Sequence, residues 1–185
     1  LVYASAVADA GMDVARYPAE RALSYRVTLR PKAALRITGL SPLALTLPAA
    51  EHGNLRARTL TGGSTRAAYP SPDFRETYTA LSRGHGLGVY ISSLQGGRTS
   101  SRDLPLMQVE FGGGGVTGGL EWSGPWTQLL QAGHSATASV WRAGIPLDAA
   151  PPAESGPRPG DPPGEARVLA LRPGEAFALP RAHLV

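Results

Sequence analysis

The chain of 185 residues is long enough for one domain, which would bury roughly 70% of the surface of the unfolded chain. The absence of cysteine excludes a disulfide framework, a thiolate metal site and a thiol nucleophile. Its 23 glycines and 17 prolines exclude a mainly helical fold, and no apolar run approaches the ~20 residues that span a bilayer. The absence of such a run means that no membrane is expected as a partner. The formal net charge of +4 comes from 18 Lys+Arg against 14 Asp+Glu, and because the arginines are scattered, no nucleic acid is expected as a partner either.

The first 22 residues are rich in alanine and leave two alternatives open, a short helix within 4–10 or a loosely held lead-in. They start without methionine and lack a basic n-region, so the sequence is expected to be a piece of a longer chain. After them the pattern changes, because Tyr25, Val27 and Leu29 alternate with polar residues. This is the period of a half-buried strand over 24–30.

The same alternation predicts further short strands, which turn residues and prolines separate. They are expected within 35–37, 43–47, 55–60, 75–81, 89–91, 105–111, 120–130, 136–141, 166–171 and 176–180. Over 75–81 the helical spacing of Phe74, Tyr78 and Leu81 competes with the alternation, and strand is favoured because the surrounding elements are strands. About ten or eleven short strands with little helix predict an all-β fold, an antiparallel β-sandwich.

Two segments of biased composition fall between predicted strands, where insertions disturb a fold least. Residues 112–119 contain six glycines and are predicted to be a glycine-rich loop, either a long hairpin turn or a disordered insert. Residues 149–165 contain six prolines and are predicted to be a disordered insert. The whole chain, 1–185, is therefore predicted to form a single sandwich domain.

Carboxylates are the first candidates for chemistry, because glycoside hydrolysis in a retaining enzyme needs two of them about 5 Å apart. Asp103, Glu110 and Glu121 are available, but the alternation predicts that Glu110 and Glu121 are solvated, outward-facing groups, so no catalytic residue is assigned. The four histidines lack ligand spacing, so no metal site is predicted. The glycines of 84–88 lack the third glycine of a dinucleotide fingerprint, so no cofactor is predicted either.

The strongest signal is an arginine–serine run, 97–102, followed by two tryptophans, Trp122 and Trp126. Tryptophan is large and its N–H needs a partner, so two within five residues imply a defined environment. One interpretation, favoured by composition, makes them core anchors on a strand and its following turn. The other makes them an aromatic platform for a sugar ring, beside Arg98 and Arg102, which would bond sugar hydroxyls. The candidate substrate-binding residues are therefore Arg98, Arg102, Trp122 and Trp126.

Three sequence elements, in order, resemble family 36 glycoside hydrolases of the α-galactosidase type. Residues 97–105 (GRTSSRDLP) are similar to the family's GR-[ST]-S stretch with its following proline. Residues 122–126 (WSGPW) are similar to its WSG-x-W element, and 171–180 (LRPGEAFALP) to its L-x-PGE-x-x-x-P element. The first ninety residues match only in the rhythm of their strands.

The resemblance implies an N-terminal β-supersandwich domain placed before a (β/α)8 barrel that carries both catalytic aspartates. It implies that barrel as a partner in cis, an α-galactoside or other carbohydrate bound by the parent enzyme, and a homo-oligomer. It also implies that loops of the sandwich help to shape the sugar pocket.

Nothing in the chain alternates strand with helix as a barrel must. The chain is therefore expected to be a non-catalytic accessory domain of an α-galactosidase-like enzyme. Two alternatives stay open, an independent carbohydrate-binding sandwich and a truncated homologue without activity. The compartment, cytoplasmic or secreted, also stays open.

Overall fold

The computed structural model describes residues 1–37, 39–48, 55–62, 75–81, 88–93, 103–131, 138–145 and 169–185. Within these ranges there are fifteen β-strands, and no helix there has the length and apolar character needed to cross a membrane. The strands are β1 (Val2–Ala4), β2 (Ala8–Tyr17), β3 (Ala22–Pro31), β4 (Leu35–Ile37), β5 (Leu40–Pro48), β6 (Leu55–Thr61), β7 (Glu76–Leu81), β8 (Gly88–Ser92), β9 (Asp103–Phe111), β10 (Gly114–Glu121), β11 (Thr127–Gln131), β12 (Ala138–Ile145), β13 (Leu169–Leu171), β14 (Phe177–Ala178) and β15 (Arg181–Leu184).

The strands form two main sheets and one small one, and each described pairing is antiparallel. The large sheet has nine strands in the order β1-β2-β3-β15-β10-β9-β6-β7, with β14 also paired to β3. A four-stranded sheet has the order β5-β12-β11-β8, and β13 pairs with β4 separately. The predicted all-β antiparallel fold is confirmed. It has more strands than predicted. β1 and β15 have only three and four residues, too few to show a period, whereas the longer β2 and most of β10 lie in segments that were predicted to be a helix or lead-in and a glycine-rich loop.

The core lies between the nine-stranded and the four-stranded sheet, and it follows from the alternation along each strand. The buried apolar cluster consists of Leu43, Leu47, Leu55, Ala57, Leu81, Val89, Ile91, Met107, Val109, Leu120, Trp126, Leu130, Trp141, Ala143 and Ala182. The indole N–H of Trp141 donates to Oε1 of Gln128 at 3.1 Å, and both side chains are completely buried. This bond satisfies the one polar atom of the indole inside the core.

The glycine-rich segment differs from the prediction. Gly112 and Gly113 form a two-residue turn with φ of 50° and 84°, the left-handed conformation that tight hairpins require. From Gly114 onward the chain is strand β10, so the prediction of a loop over 112–119 is wrong beyond its first two residues. The strand uses glycine because the opposite sheet packs against it: a Cβ at Gly118 would lie 2.6 Å from Cη2 of Trp141.

Both ends of the chain also differ from the prediction. The first residues are neither helix nor loose lead-in, because β2 pairs with β3 over ten residues, from Ala8↔Pro31 to Tyr17↔Ala22, and β1 pairs with β2. Near the other end, the strand predicted at 176–180 is limited to β14. The longer strand there, β15, was not predicted, although it lies in the middle of the large sheet.

The strands predicted at 24–30, 55–60, 75–81 and 105–111 are confirmed as β3, β6, β7 and β9. The strand interpretation of 75–81 was therefore correct against the helical spacing. The proline-rich insert predicted at 149–165 lies outside the described residues. The single domain over 1–185 stays a prediction.

Candidate functional site

Trp126 lies in the connection between β10 and β11, and its side chain is completely buried in the core. Its backbone amide donates to Oγ of Ser93 at 3.0 Å, and the amide of Ser93 donates to the carbonyl of Trp126 at 3.1 Å. These bonds hold Trp126 against the end of β8. With 0% of its surface exposed, the indole has no face on which a sugar ring could stack, so the core interpretation holds for this residue and the platform interpretation is wrong.

Trp122 is partly buried and packs against the margin of the same core. Its indole N–H donates to the carbonyl of Pro125 at 3.1 Å, inside the turn that the two tryptophans flank. Gly124 is the residue that lets the ring fold over this turn, since a Cβ there would lie 2.6 Å from Nε1 of Trp122. The partner that the sequence required for the indole N–H is therefore a backbone carbonyl. A sugar-binding role for Trp122 stays a prediction.

Asp103 begins β9 and is only 4% exposed. Its Oδ2 accepts a hydrogen bond from the backbone amide of Ser92 at 3.0 Å. Ser92 ends β8 in the four-stranded sheet, whereas β9 belongs to the nine-stranded sheet, so this carboxylate joins the two layers. A buried carboxylate is tolerated only when it is hydrogen-bonded or paired. The position of Asp103 is that of a structural anchor.

Arg98 and Arg102 lie outside the described residues, but both ends of the segment that contains them are described. Segment 94–102 follows Ser93 and precedes Asp103, and both of these flanking residues are buried. Ser93 bonds the backbone of Trp126, and Asp103 bonds the neighbouring residue of Ser93. The structure therefore brings together Trp126 and the two ends of the arginine-containing segment.

Glu110 and Glu121 do not form a pair of the kind that glycoside hydrolysis needs. Glu110 lies opposite Gly115 across the β9–β10 hairpin, and Glu121 is six residues further along β10. At about 3.4 Å per residue the two positions are separated by about 20 Å along the strand. The catalytic carboxyl groups of glycosidases are about 5 to 9.5 Å apart. These two carboxylates therefore cannot serve together as acid and nucleophile.

Glu121 instead belongs to a charged cluster on the outer face of the large sheet. Its Oε2 lies 3.2 Å from Nε2 of His183 and 3.6 Å from Nε of Arg181, both on the neighbouring strand β15. The side chain is 62% exposed, which confirms the outward orientation predicted for it. Within the described ranges, no three or more side chains of the metal-ligating types come together. The other three histidines, His52, His85 and His134, lie outside those ranges.

A second charged cluster joins the strands at the β7 edge of the large sheet. Arg58 forms an ion pair with Glu76, and its guanidinium carbon lies 5.3 Å from the centre of the Tyr78 ring. The hydroxyl of Tyr78 donates to the other oxygen of Glu76 at 2.9 Å. The hydrogen bond from Arg58 lowers the pKa of Glu76, and the hydrogen bond to Glu76 raises the pKa of Tyr78. The sequence analysis missed this cluster because it depends on the register in which Arg58 faces Tyr78.

These observations define a class: an antiparallel two-layer β-sandwich whose buried polar groups anchor its strands. Comparison with known structures then identifies the fold more closely. The α-galactosidase from Lactobacillus brevis is similar with a TM-score of 0.69 and 16% identity, over 96% of this chain and 21% of that enzyme. The galactosidase domain of an α-galactosidase–sucrose kinase is similar with a TM-score of 0.73 and 12% identity, over 99% of this chain and 22% of the other.

A GH36 α-galactosidase from Geobacillus stearothermophilus gives a TM-score of 0.69 and 14% identity, over 96% of this chain and 22% of the enzyme. At the level of sequence, no family model and no curated protein matches the chain. The family 36 resemblance is therefore confirmed as a shared fold. The chain spans 21% or 22% of the length of the enzymes that it resembles.

Proposed function

We propose that this chain is the non-catalytic accessory β-sandwich of an α-galactosidase-like glycoside hydrolase, in which a catalytic barrel follows in cis. The observation that carries the proposal is the extent of the shared fold. It takes in 96% to 99% of this chain, but only 21% or 22% of each α-galactosidase chain. The sandwich thus corresponds to one part of such an enzyme, and the greater part of the enzyme has no counterpart here.

The carboxylates support a non-catalytic role. Glu110 and Glu121 are separated by about 20 Å along their strands, which is too far for either glycosidase mechanism. Asp103 is buried and accepts a backbone hydrogen bond, so its carboxylate is engaged in holding the two sheets together. Because the proposed barrel would carry the chemistry, the acid and the nucleophile of the parent enzyme are expected outside residues 1–185.

The finer part of the proposal concerns segment 94–102. Binding residues often lie on loops that a rigid scaffold positions, and the two residues that flank this segment, Ser93 and Asp103, are both fixed by buried hydrogen bonds. A segment whose ends are held in this way is well suited to present side chains to a ligand. We propose that Arg98 and Arg102 contact the sugar in the pocket of the parent enzyme.

The first experiment compares two purified proteins on an aryl α-galactoside. Residues 1–185 alone are expected to leave the substrate intact, and a chain extended by the downstream coding sequence is expected to cleave it. Turnover by residues 1–185 would contradict the accessory role. A downstream sequence that encodes no barrel would instead favour a truncated homologue.

A second experiment tests the arginines in the extended, active chain. Arg98→Ala and Arg102→Ala are each expected to raise KM about tenfold, the effect of losing one hydrogen bond to the ligand. Arg16→Ala is the matched control, because this exposed arginine lies on β2, in the opposite half of the sheet from β9. Unchanged KM values in both variants would contradict the sugar contact and leave the accessory role intact.

The alternative of an independent carbohydrate-binding sandwich depends on Trp122, which keeps part of its surface exposed. If it applied, titrating residues 1–185 with galactose or raffinose would change the tryptophan fluorescence, and Trp122→Phe would remove that change. The accessory-domain proposal expects no change in either protein.

A further inference from the structure

Tyr78, on strand β7 of the large sheet, is 61% exposed, yet its neighbours hold the aromatic ring in one orientation. The guanidinium carbon of Arg58 lies 5.3 Å from the centre of the ring and covers one of its two faces. The tyrosine hydroxyl donates to Glu76 at 2.9 Å, and Arg58 forms an ion pair with the same carboxylate. The exposed surface of the ring therefore belongs mainly to its other face.

The side chains beside this ring lie on the same outer face of the sheet, because alternate residues of a strand point to opposite faces. Arg56 and Arg58 of β6 alternate with buried residues, and so do Gln108 and Glu110 of β9. In the register, Arg58 lies between Tyr78 and Gln108, and it donates to the side-chain oxygen of Gln108 at 3.4 Å. The tyrosine face is defined by these five residues, Arg56, Arg58, Tyr78, Gln108 and Glu110.

Two charged groups of the tyrosine face are available for bonding. Arg56 lies opposite Glu110 in the register of β6 and β9. Neither of these two side chains forms an ion pair or a hydrogen bond with another residue of the described ranges. The guanidinium offers N–H donors in a planar fork, and the carboxylate offers only acceptors. The tyrosine face therefore presents both kinds of hydrogen-bonding group beside a ring that is already fixed.

The tyrosine face is bordered by small side chains, which leave its surroundings level. On β10, Gly115 and Thr117 lie opposite Glu110 and Gln108. On β7, the next outward residue after the tyrosine is Ala80, which is itself exposed. The four neighbouring strands β7, β6, β9 and β10 together span about 14 Å, at about 4.8 Å from each strand to the next. A flat, extended ligand can therefore lie across the strands.

The charges of this region cancel, which indicates the kind of ligand that fits. Two arginines, Arg56 and Arg58, are balanced by two glutamates, Glu76 and Glu110. An acidic ligand would gain from the arginines and be repelled by the glutamates, and a basic ligand would meet the reverse. A neutral ligand that is rich in hydroxyl groups finds donors and acceptors together. The open face of Tyr78 adds an apolar surface for the C–H groups that sugar rings carry on their faces.

We propose that the tyrosine face binds a neutral oligosaccharide whose rings are linked equatorially, so that the chain lies flat across β7, β6, β9 and β10. One sugar ring stacks on the open face of Tyr78, and hydroxyl groups of the adjoining rings bond Arg56 and Glu110. Because Tyr78 and Arg58 are already held in place, little conformational freedom is lost when the sugar binds. The proposal does not depend on the enzymatic role proposed above, since residues 1–185 alone carry the tyrosine face.

Nuclear magnetic resonance tests the stacking directly, in a titration of residues 1–185 with cellohexaose, a soluble chain of equatorially linked glucose rings. A shallow platform is expected to give a dissociation constant in the millimolar range. The ring current of Tyr78 is expected to shift protons of the stacked sugar upfield. Tyr78→Ala is expected to abolish this shift and to weaken binding about tenfold, while Tyr78→Phe keeps the ring and retains both.

The matched control is Tyr17→Ala, because Tyr17 is also an exposed tyrosine but lies on β2, in the other half of the large sheet. This control is expected to bind cellohexaose like the unmodified chain. Circular dichroism verifies that each variant is folded. An unmodified chain that gives no upfield shift, or a Tyr78→Ala variant with unchanged affinity, would overturn the proposal.

Two further ligands test the shape and the charge of the sugar. Maltohexaose has the same glucose rings in an axial linkage that curves the chain, so it is expected to bind more weakly than cellohexaose. Cellohexaose with its primary alcohols oxidised to carboxylates is expected to bind no more tightly than the neutral chain. Equal affinity for maltohexaose would contradict the flat arrangement. Tighter, salt-sensitive binding of the oxidised chain would indicate an acidic ligand and contradict the neutral one.

Arg56→Ala tests the polar part of the site without touching the ring. This exposed side chain makes no bond within the described ranges, so its removal is expected to leave the fold intact and to weaken cellohexaose binding about fivefold, the effect of one lost hydrogen bond. Arg16→Ala, an exposed arginine on β2, is the control and is expected to change nothing. Equal affinities of the two variants would contradict the contact with Arg56.

Discussion

The packing of Trp141 on a glycine of β10 allows a precise test of how the two sheets fit together. At Gly118 a Cβ would lie 2.6 Å from Cη2 of Trp141 and 2.8 Å from Cδ2 of Leu184, where ordinary contacts are 3.4 Å or longer. Gly118→Ala therefore forces the indole or the strand to move. Because Trp141 is completely buried and bonded to Gln128, the ring has little freedom to do so.

The magnitude follows from two opposing terms. Overpacking a close-packed core costs about 1–3 kcal/mol, while replacing glycine within a strand recovers about 0.5–1 kcal/mol of backbone entropy. The variant is expected to be less stable by about 1–2 kcal/mol, which lowers the melting temperature of a domain of this size by about 2–8 °C. Gly114→Ala is the control on the same strand, since its Cβ would meet a single atom at 3.9 Å. This control is expected to be neutral or slightly stabilising.

Urea unfolding followed by far-ultraviolet circular dichroism measures both variants, and a double-mutant cycle identifies the cause. Trp141→Phe removes Cη2 and makes room for the new methyl group, although it leaves the buried Oε1 of Gln128 without its donor, at a cost of about 1–3 kcal/mol. The loss of stability in the double variant is expected to be about 1 kcal/mol smaller than the sum of the losses in the two single variants. Strict additivity, or a Gly118→Ala variant as stable as Gly114→Ala, would refute the steric account.

Three further predictions concern other points of the fold. Gly144→Ala is expected to lower the free energy of unfolding by about 3 kcal/mol or more, a larger loss than for Gly118→Ala. Its Cβ would overlap the backbone oxygen of Leu40, which cannot rotate aside as a side chain can. A loss no larger than that of Gly118→Ala in the urea experiment would contradict this. Asp103→Ala leaves the amide of Ser92 without its buried acceptor and is expected to cost about 1–3 kcal/mol, whereas the exposed control Asp13→Ala changes stability little; equal effects would count against the anchor. The pKa of Glu76 is lowered in the folded state, so its ion pair stabilises the fold above the usual glutamate pKa of about 4.3, and this contribution is lost as the pH falls through the lowered value. The difference in urea midpoint between the natural chain and Glu76→Gln should accordingly shrink as the pH falls below about 4, and a difference independent of pH would exclude the ion pair as its source.

Alternation predicted most of the strands because each has one face toward the core. In β9, for example, Met107 and Val109 are completely buried, whereas the residues between and beside them are only partly buried. Alternation failed to predict a strand where a residue type is required by contact with another strand. The glycines of β10 look like a loop in isolation, but Gly118 is required by a tryptophan of the other sheet. Nothing local in the sequence reports that contact.

The candidate site was predictable to a similar extent. The sequence required a defined environment for two tryptophans, and the structure gives Trp126 a core position and Trp122 a partner within its turn. The role of Asp103 was missed, although a signal was present. Asp103 has the same strand parity as Met107 and Val109, which places its carboxylate on the buried face and so requires a bond there.

The position of β15 connects these features. In the order of the large sheet, β15 is the strand between β3 and β10, so the half formed by β1, β2 and β3 joins the half that carries β9 through this one strand of four residues within the described ranges. Strand β1 is the last strand of the first half among the described residues, and the Asp103 anchor lies in the second half. On the outer face of the sheet, Glu121 of β10 contacts both His183 and Arg181 of β15. On the inner face, Ala182 of β15 is completely buried in the core. The two halves of the large sheet therefore meet at β15 in the hydrogen-bond ladder, and the core joins them a second time, because Tyr25 of β3 and Met107 of β9 pack into the same apolar cluster.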